Sequence, residues 1–314
     1  MPDAADVSVI LPAYRAAETM GRALQSIADQ TMPPGEVIVV DDGSDDGTAD
    51  IVRGFAVNLP KNITLKLIEQ ANAGAGAARN RALAKATKPW IAFLDADDVW
   101  LPEKLEQSMA AITDQDLDLV AHNGLTVVGD VKSLNDCAKR FHEYANPYVG
   151  LYRKGYLDTC TVVMRRNDAM AAGGFDETLR NAQDFELWLR VLRNPGKRFA
   201  VLTPVLSEAF ETPGSIMSFI ERRLTCCRIV AVRYAGDLRC KPGGSFGSLW
   251  YRLVAVHVEA VAAYRNRGDL PRAGWAALRL PWALVVDTLR VAIGGAEDRQ
   301  EFLKPEQPKT NTPE

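Results

Sequence analysis

The stretch FLDADDVWLP, residues 93–102, sets three carboxylates, Asp95, Asp97 and Asp98, within four positions directly after an apolar run. Like charges about 4 Å apart repel by roughly 4 kcal/mol at an effective dielectric near 20, so this cluster must face water, a cation or hydrogen-bond donors. A divalent ion is one partner of that kind. The other explanation, capping of a helix that begins near Pro102, accounts for one Asp and not for three. Three more groups have chemical potential: Pro12-Ala13-Tyr14, the run DDGSDDGT at 41–48, and NAGAGAARN at 72–80. Asp42 in the second could accept from a base N–H or a ribose hydroxyl, whereas the same run read as a turn needs only Asp46 or Thr48 as an N-cap. The third is not a Walker loop, because GK[ST] is missing, nor a dinucleotide fingerprint, because Arg79 stands where the third Gly belongs. Its small residues suit close helix packing, and Arg79 suits an anionic or planar ligand group.

These groups need a scaffold, and the hydrophobic pattern supplies one. Short apolar runs, VSVIL, EVIVV, TLKLI and WIAFL, alternate with helical periods over Glu18–Gln30, Thr48–Phe55, Ala75–Ala86 and from Pro102 onward. Strands separated by helices of this length predict right-handed βαβ units and a parallel sheet. Ligands of such sheets bind beyond the carboxyl ends of the strands, which is where the three acidic or aromatic ends fall. Further on, LDLVAH and TCTVVMR read as strands and AQDFELWLRVLR as an amphipathic helix. Residues 216–295 read as three or four helices broken by KPGGS, by Gly268-Asp269 and by Pro281, and the last residues, KPEQPKTNTPE, as a disordered tail.

Composition narrows the class. The net charge is −3 over 314 residues, which leaves no nucleic-acid footprint, but residues 216–295 hold 12 Lys and Arg against 5 Asp and Glu, leaving −10 for the rest. An acidic front and a basic rear follow. Five cysteines show no zinc or disulfide spacing, and His122, His142 and His257 are scattered singly. Gly243-Gly244-Ser245-Phe246-Gly247 fits GxSxG but follows Lys241-Pro242 rather than a strand, so it reads as a loop. The opening MPDAADVSVI lacks a basic region followed by an apolar one, and no run of 18 uncharged apolar residues occurs. A cytoplasmic location is expected.

Taken together, VSVILPAYRAAETMGRALQSIADQT, EVIVVDDGSDDGTADIV, NAGAGAARNRALAKA, PWIAFLDADDVWLPEKL and GGFDETLRNAQDFELWLR resemble family 2 glycosyltransferases of the GT-A fold, over residues 6 to about 215 and in the expected order. The resemblance implies an α/β fold with a mostly parallel twisted sheet flanked by helices, residues 1–215 being the catalytic domain, 216–303 a helical C-terminal extension and 304–314 a tail. It also implies an inverting transferase that moves a hexosyl or N-acetylhexosaminyl group from a nucleotide diphosphate sugar, most often a UDP-sugar, to a saccharide or lipid-linked acceptor in polysaccharide or glycolipid assembly.

Carried over by motif, Pro12 and Tyr14 line the base pocket, Asp42 bonds the base with support from Arg79, and Asp95 faces the ribose or the metal. Asp97 coordinates Mn²⁺ or Mg²⁺, for which hard oxygen ligands are suited. Asp184 falls at the catalytic base, with Asp176 and Glu186 as alternatives; read alone, it is an acid favoured by the N-terminus of its helix. Two departures stand out: Arg15 replaces the Asn usual after the Tyr, and Phe210-Glu211-Thr212-Pro213-Gly214-Ser215 lacks the Arg or His often found before Pro-Gly-Ser.

Competing readings are a degenerate sugar-nucleotide-binding or scaffolding protein and a nucleotidyltransferase, though the latter wants a basic loop after the first strand and only Arg15 is there. In the rear helices Trp250, Tyr251, Trp275 and Trp282 mingle with Arg252, Arg272, Arg279 and Arg290. That mixture suits either peripheral contact with an anionic membrane surface, on its inner face, or packing against the catalytic core.

Overall fold

The computed structural model describes residues 4–293 except 58, 61, 212–218, 240, 242, 243 and 245. The described residues fall into two units, one within Met1–Glu177 and Gln183–Ser218, the other within Thr178–Ala182 and Phe219–Glu314. Thr212–Ser215, the 304–314 tail, and Gly243 and Ser245 of the GxSxG match lie outside the described residues.

The first unit opens as βαβ repeats: β1 (Ala5–Ala13), α1 (Met20–Ala28), β2 (Pro34–Asp41), α2 (Thr48–Ala56), β3 (Thr64–Glu69), α3 (Ala75–Lys85) and β4 (Trp90–Phe93). Then come β5 (Val99–Trp100), α4 (Lys104–Gln115), β6 (Leu119–Val128), β7 (Val131–Asn135), α5 (Cys137–His142) and α6 (Pro147–Lys154). The unit closes with β8 (Val163–Arg165), α7 (Arg166–Ala171), α8 (Gln183–Leu192) and β9 (Phe199–Phe210). One sheet runs in the order β3-β2-β1-β4-β8-β6-β9-β5, with β7 on β6. The first four of these strands are parallel; beyond β4 the pairings are antiparallel except β6 with β9. β1 and β2 are almost wholly buried, as continuous Val, Ile and Leu runs covered on both faces must be. Met20, Ala23, Leu24 and Ile27 of α1 share one buried stripe against that face.

Details differ from the sequence reading where local signals conflict. TCTVVMR supplies a strand only over Val163–Arg165, because Thr159–Thr161 is a 3₁₀ turn. β9 escapes a pattern search because Pro204 interrupts it. The register against β6 shifts at this point, from His122 opposite Leu202 to Asn123 opposite Val205, and the Asn123 amide donates to the Thr203 carbonyl at 3.0 Å. A bulge is where a strand tolerates a missing N–H.

The second unit holds α9 (Ile220–Tyr234), α10 (Phe246–Asn266) and α11 (Leu270–Ile293), with Gly268 at positive φ between the last two. The break expected at Pro281 is absent: α11 runs through it. Pro281 and Ala277, the residue whose carbonyl loses its partner, both lie on the exposed side, so ring and carbonyl have room outside the packed face.

Buried Glu36 on β2 shows how the strands are pinned. It accepts from Ser8 Oγ at 2.6 Å and from the Thr87 N–H at 2.9 Å, and it pairs with Lys66. Burial pushes its pKa up, but these donors outweigh burial and hold it below the ordinary 4.5. A depressed carboxylate contributes stability that is present above the unfolded-state value and lost as pH falls through the folded-state one. Urea midpoints of the parent are therefore expected to fall steeply below pH 4.5, while those of Glu36→Gln start lower and change less.

Candidate active site

The carboxyl ends of β2, β1 and β4 lie side by side. The Asp42 N–H donates to the Ala13 carbonyl at 2.8 Å and the Leu94 N–H to the Ile10 carbonyl at 3.2 Å, so all three chain ends leave the sheet along one edge. Pro12 is buried in β1, and Tyr14 follows it half exposed. The two loops that follow are tied together. The N–H groups of Arg15, Ala16 and Ala17 donate to Ser44 Oγ, Thr48 Oγ1 and Asp46 Oδ2 at 2.9–3.0 Å, and the Arg15 guanidinium forks onto Asp45 with two bonds of 2.9 Å. Arg15, the departure from the family pattern, thus has a local partner. Asp46 also accepts from the Thr48 N–H and Oγ1 at the start of α2, but the N-cap position expected for Asp46 or Thr48 is held by Gly47 at positive φ.

Asp42 is buried and fully oriented. Its Oδ1 accepts from the Gln70 amide at 2.7 Å and the Ala73 N–H at 2.8 Å, and its Oδ2 from the Gly74 N–H at 2.7 Å. It therefore anchors the loop that leads into α3. A carboxylate offers about four acceptor sites, and three are in use within the chain. Gln70, Ala71, Ala73, Ala77, Asn80, Arg81 and Glu177 line an open pocket of about 490 Å³ on that loop.

The small residues of α3 permit two close contacts. A Cβ on Gly76 would collide with the Gln183 side chain, and one on Gly174, at φ 73°, would collide with the Asn80 carboxamide. Asn80 donates to the Phe175 carbonyl at 2.9 Å and accepts from the Phe175 N–H at 2.7 Å. The GGFDE segment is thereby docked on α3. Phe175, Phe93 and Trp188 meet edge to face with centroids 5.5–6.4 Å apart, which fixes α8 over β4. Sequence reading missed Asn80; the small residues around Arg79 carried a packing signal but no partner.

These contacts carry Asp184, in the first turn of α8, to Arg79 of α3 and to the acidic turn after β4. The Arg79 guanidinium is 7% exposed and donates to Asp95 Oδ1 at 2.6 Å. Burial opposes its charge, but Asp95, Asp184 and Asp97 more than offset that and raise its affinity for the proton. Three carboxylates from two elements are grouped in the field of one buried cation. Thr159 Oγ1 donates to Asp184 Oδ2 at 2.8 Å and fixes the carboxylate's orientation. Arg22 donates to the Asp97 carbonyl at 2.6 Å, holding the turn by its main chain.

Asp98 has a different task. Its carboxylate does not cap α4 but accepts from the Phe210 N–H at 3.0 Å, joining the turn to the end of β9. Burial, with Asp95 and Asp97 nearby, pushes its pKa well above the usual carboxylate range. Glu186, an alternative base, is buried and paired with Arg190 at 2.6 Å.

Among the described residues no three His, Cys, Asp or Glu side chains form a metal cage. Asp95 and Asp97 nevertheless suit an ion of the Mg²⁺ or Mn²⁺ kind, which is commonly held by one or two carboxylates with phosphate oxygens completing the shell.

The sequence profile described as "Glycosyl transferase family 2" matches residues 8–170, more than half of the chain. The chain belongs to glycosyl transferase family 2. Among curated relatives of this family 2 chain, the amylovoran biosynthesis glycosyltransferase AmsB of Erwinia amylovora is 34% identical over 193 residues, covering 58% of this chain and 62% of AmsB. Against AmsB and two further curated relatives, the chain spans 33–62% of the relative's length. The fold is that of TarS residues 1–349 from S. aureus, solved with UDP-GlcNAc, at TM-score 0.67 and 22% identity over 95% of this chain and 89% of that one. It is also that of the mannosyltransferase PcManGT from Pyrobaculum calidifontis, solved with GDP-Man and Mn²⁺, at TM-score 0.60 and 22% identity over 93% and 89%. A GT-A sheet with added C-terminal helices is therefore the architecture of this chain.

Proposed function

We propose that the chain is an inverting glycosyltransferase that takes a hexosyl or N-acetylhexosaminyl group from a nucleotide diphosphate sugar, a UDP-sugar first, and passes it to a hydroxyl of a saccharide or lipid-linked acceptor in polysaccharide assembly. The observation that carries this reading is the bond from buried Arg79 to Asp95 at 2.6 Å, with Asp184 and Asp97 adding to the negative field on the same guanidinium. On this reading Asp95 and Asp97 serve the diphosphate side and Asp184 the acceptor side, from two different elements. TarS and PcManGT, solved with sugar nucleotides, support the donor class, and AmsB supports the biosynthetic setting.

In this mechanism Pro12 and Tyr14 flank the base, and Asp42 offers its remaining acceptor site to a base N–H. Asp95, steadied by Arg79, orients the ribose and diphosphate together with Asp97. A divalent ion held by Asp97 and Asp95 would offset the charge that the diphosphate gains on departure. Asp184 takes the proton of the acceptor hydroxyl as its oxygen bonds to the anomeric carbon. The carbon's bond to the diphosphate breaks on the opposite face, and the electron pair leaves with the diphosphate. Thr159 holds Asp184 Oδ2, which directs Oδ1 to the acceptor.

Thermal-shift measurements with UDP-, GDP- and dTDP-sugars, each with Mn²⁺, test the donor class, since a ligand bound by the folded state raises its melting temperature with affinity. A rise for one nucleotide series is expected. No rise with any of them would count against the reading.

A further inference from the structure

The second unit carries an amphipathic helix that is inside out. In α11 the charged side chains face inward: Arg279 forks onto Glu221 at 2.7 and 2.8 Å, and buried Asp287 pairs with Arg228 and Arg290, each at 2.9 Å. The outward stripe is Trp275, Leu278, Trp282, Val285 and Leu289, at alternating three- and four-residue spacing, with exposures of 60%, 74% and 72% for the first three. Arg272 is the one exposed charge on this helix. α10 extends the face with Trp250, Val254 and Val258, and Trp250 Nε1 donates to Thr288 Oγ1 at 2.8 Å, which joins the two stripes. An apolar stripe about four turns long facing water is costly, and a patch of this kind marks a docking surface.

The charges at its ends identify the occupant. Arg265 continues the α10 stripe one heptad beyond Val258, and Arg272, which is also 3.5 Å from Asp269, lies three residues before Trp275, so two cations and one acid sit at the α10–α11 turn beside the apolar side. At the other end Arg239 donates to the Val291 carbonyl, with Lys241 two residues on. Exposed Glu259 is paired with Arg223. A second copy of the chain, docked in either direction, would set cations against cations. Residues 294–314 contain only Phe302 and Leu303 as large apolar side chains, fewer than the stripe presents. Anionic lipid headgroups would match the cations, while the indole rings would lie at the headgroup boundary. No described helix is long and apolar enough to cross a membrane, so the contact would be in-plane.

We infer that the outward face of α10 and α11 docks the protein onto a bilayer surface containing anionic lipid. The test is co-sedimentation of the full chain with phosphatidylcholine vesicles, with and without phosphatidylglycerol, at low and high salt, alongside sedimentation velocity without lipid. Binding to the anionic vesicles that weakens with salt is expected. Arg265→Gln and Arg272→Gln should each lower it about fivefold, and Trp275→Gln with Trp282→Gln about tenfold or more. All four side chains are exposed, and unchanged circular-dichroism melts would confirm that the variants fold. Absence of binding at low salt overturns the inference. So does a concentration-dependent dimer that the paired Trp variant abolishes, because the face would then belong to a second copy.

Discussion

Asp184→Asn is expected to lower turnover by at least about a hundredfold while donor affinity stays near that of the parent. The substitution keeps shape and the Thr159 contact, since the carboxamide oxygen can still accept from that hydroxyl, but it removes the basicity. Losing a group that acts only as the base for the acceptor's proton lowers kcat and leaves the donor's Kd alone. The first turn of α8 is held by Gln183 against Gly76 and by the ring trio of Trp188, so no unfolding should mask the result. Near-parental turnover would move the base elsewhere. Glu186 is then a poor substitute because it is buried against Arg190, and Asp176 becomes the next residue to replace.

Asp97→Ala should remove the strengthening of donor binding by Mn²⁺, a loss of about a hundredfold at saturating metal. Calorimetric titration of the donor with and without Mn²⁺ gives the comparison directly. Arg22 bonds the Asp97 carbonyl, so alanine keeps that main-chain anchor of the turn. A variant whose donor affinity still responds to Mn²⁺ as the parent's does would take Asp97 out of the metal shell. The same change at Asp98 asks a different question, because that carboxylate ties the turn to β9 and its loss should register in stability.

The parallel half of the fold was legible because each strand there is a continuous apolar run buried on both faces and each crossover is a helix with one apolar stripe. Past β4 the signal weakens for physical reasons. β5 is two residues long, and β9 is interrupted by a proline that the bulge absorbs. The three Asp of the acidic turn were visible as a cluster, yet nothing in their spacing separates Asp98, which serves β9, from Asp95 and Asp97. Only the partner, the Phe210 N–H, lying 112 positions away, does that. Arg79 could be read as a ligand-facing residue, but its partner Asp95 lies 16 positions away and its helix is docked through neighbouring Asn80 onto Phe175, 95 positions on. The outward apolar stripe of α11 was hidden for the opposite reason. Its periodicity is that of any packed helix, and only the inward ion pairs reveal which side faces out.

Sugar transfer with inversion from a nucleotide diphosphate donor is the central reaction proposed for this chain. Its most direct test is proton NMR of the reaction of the full chain with an α-linked UDP-sugar, Mn²⁺ and a saccharide acceptor, followed from the first turnovers. The expected products are UDP and a β-linked saccharide in equal amounts. An α-linked product would contradict the single displacement, and release of UMP or pyrophosphate in place of UDP would contradict glycosyl transfer altogether.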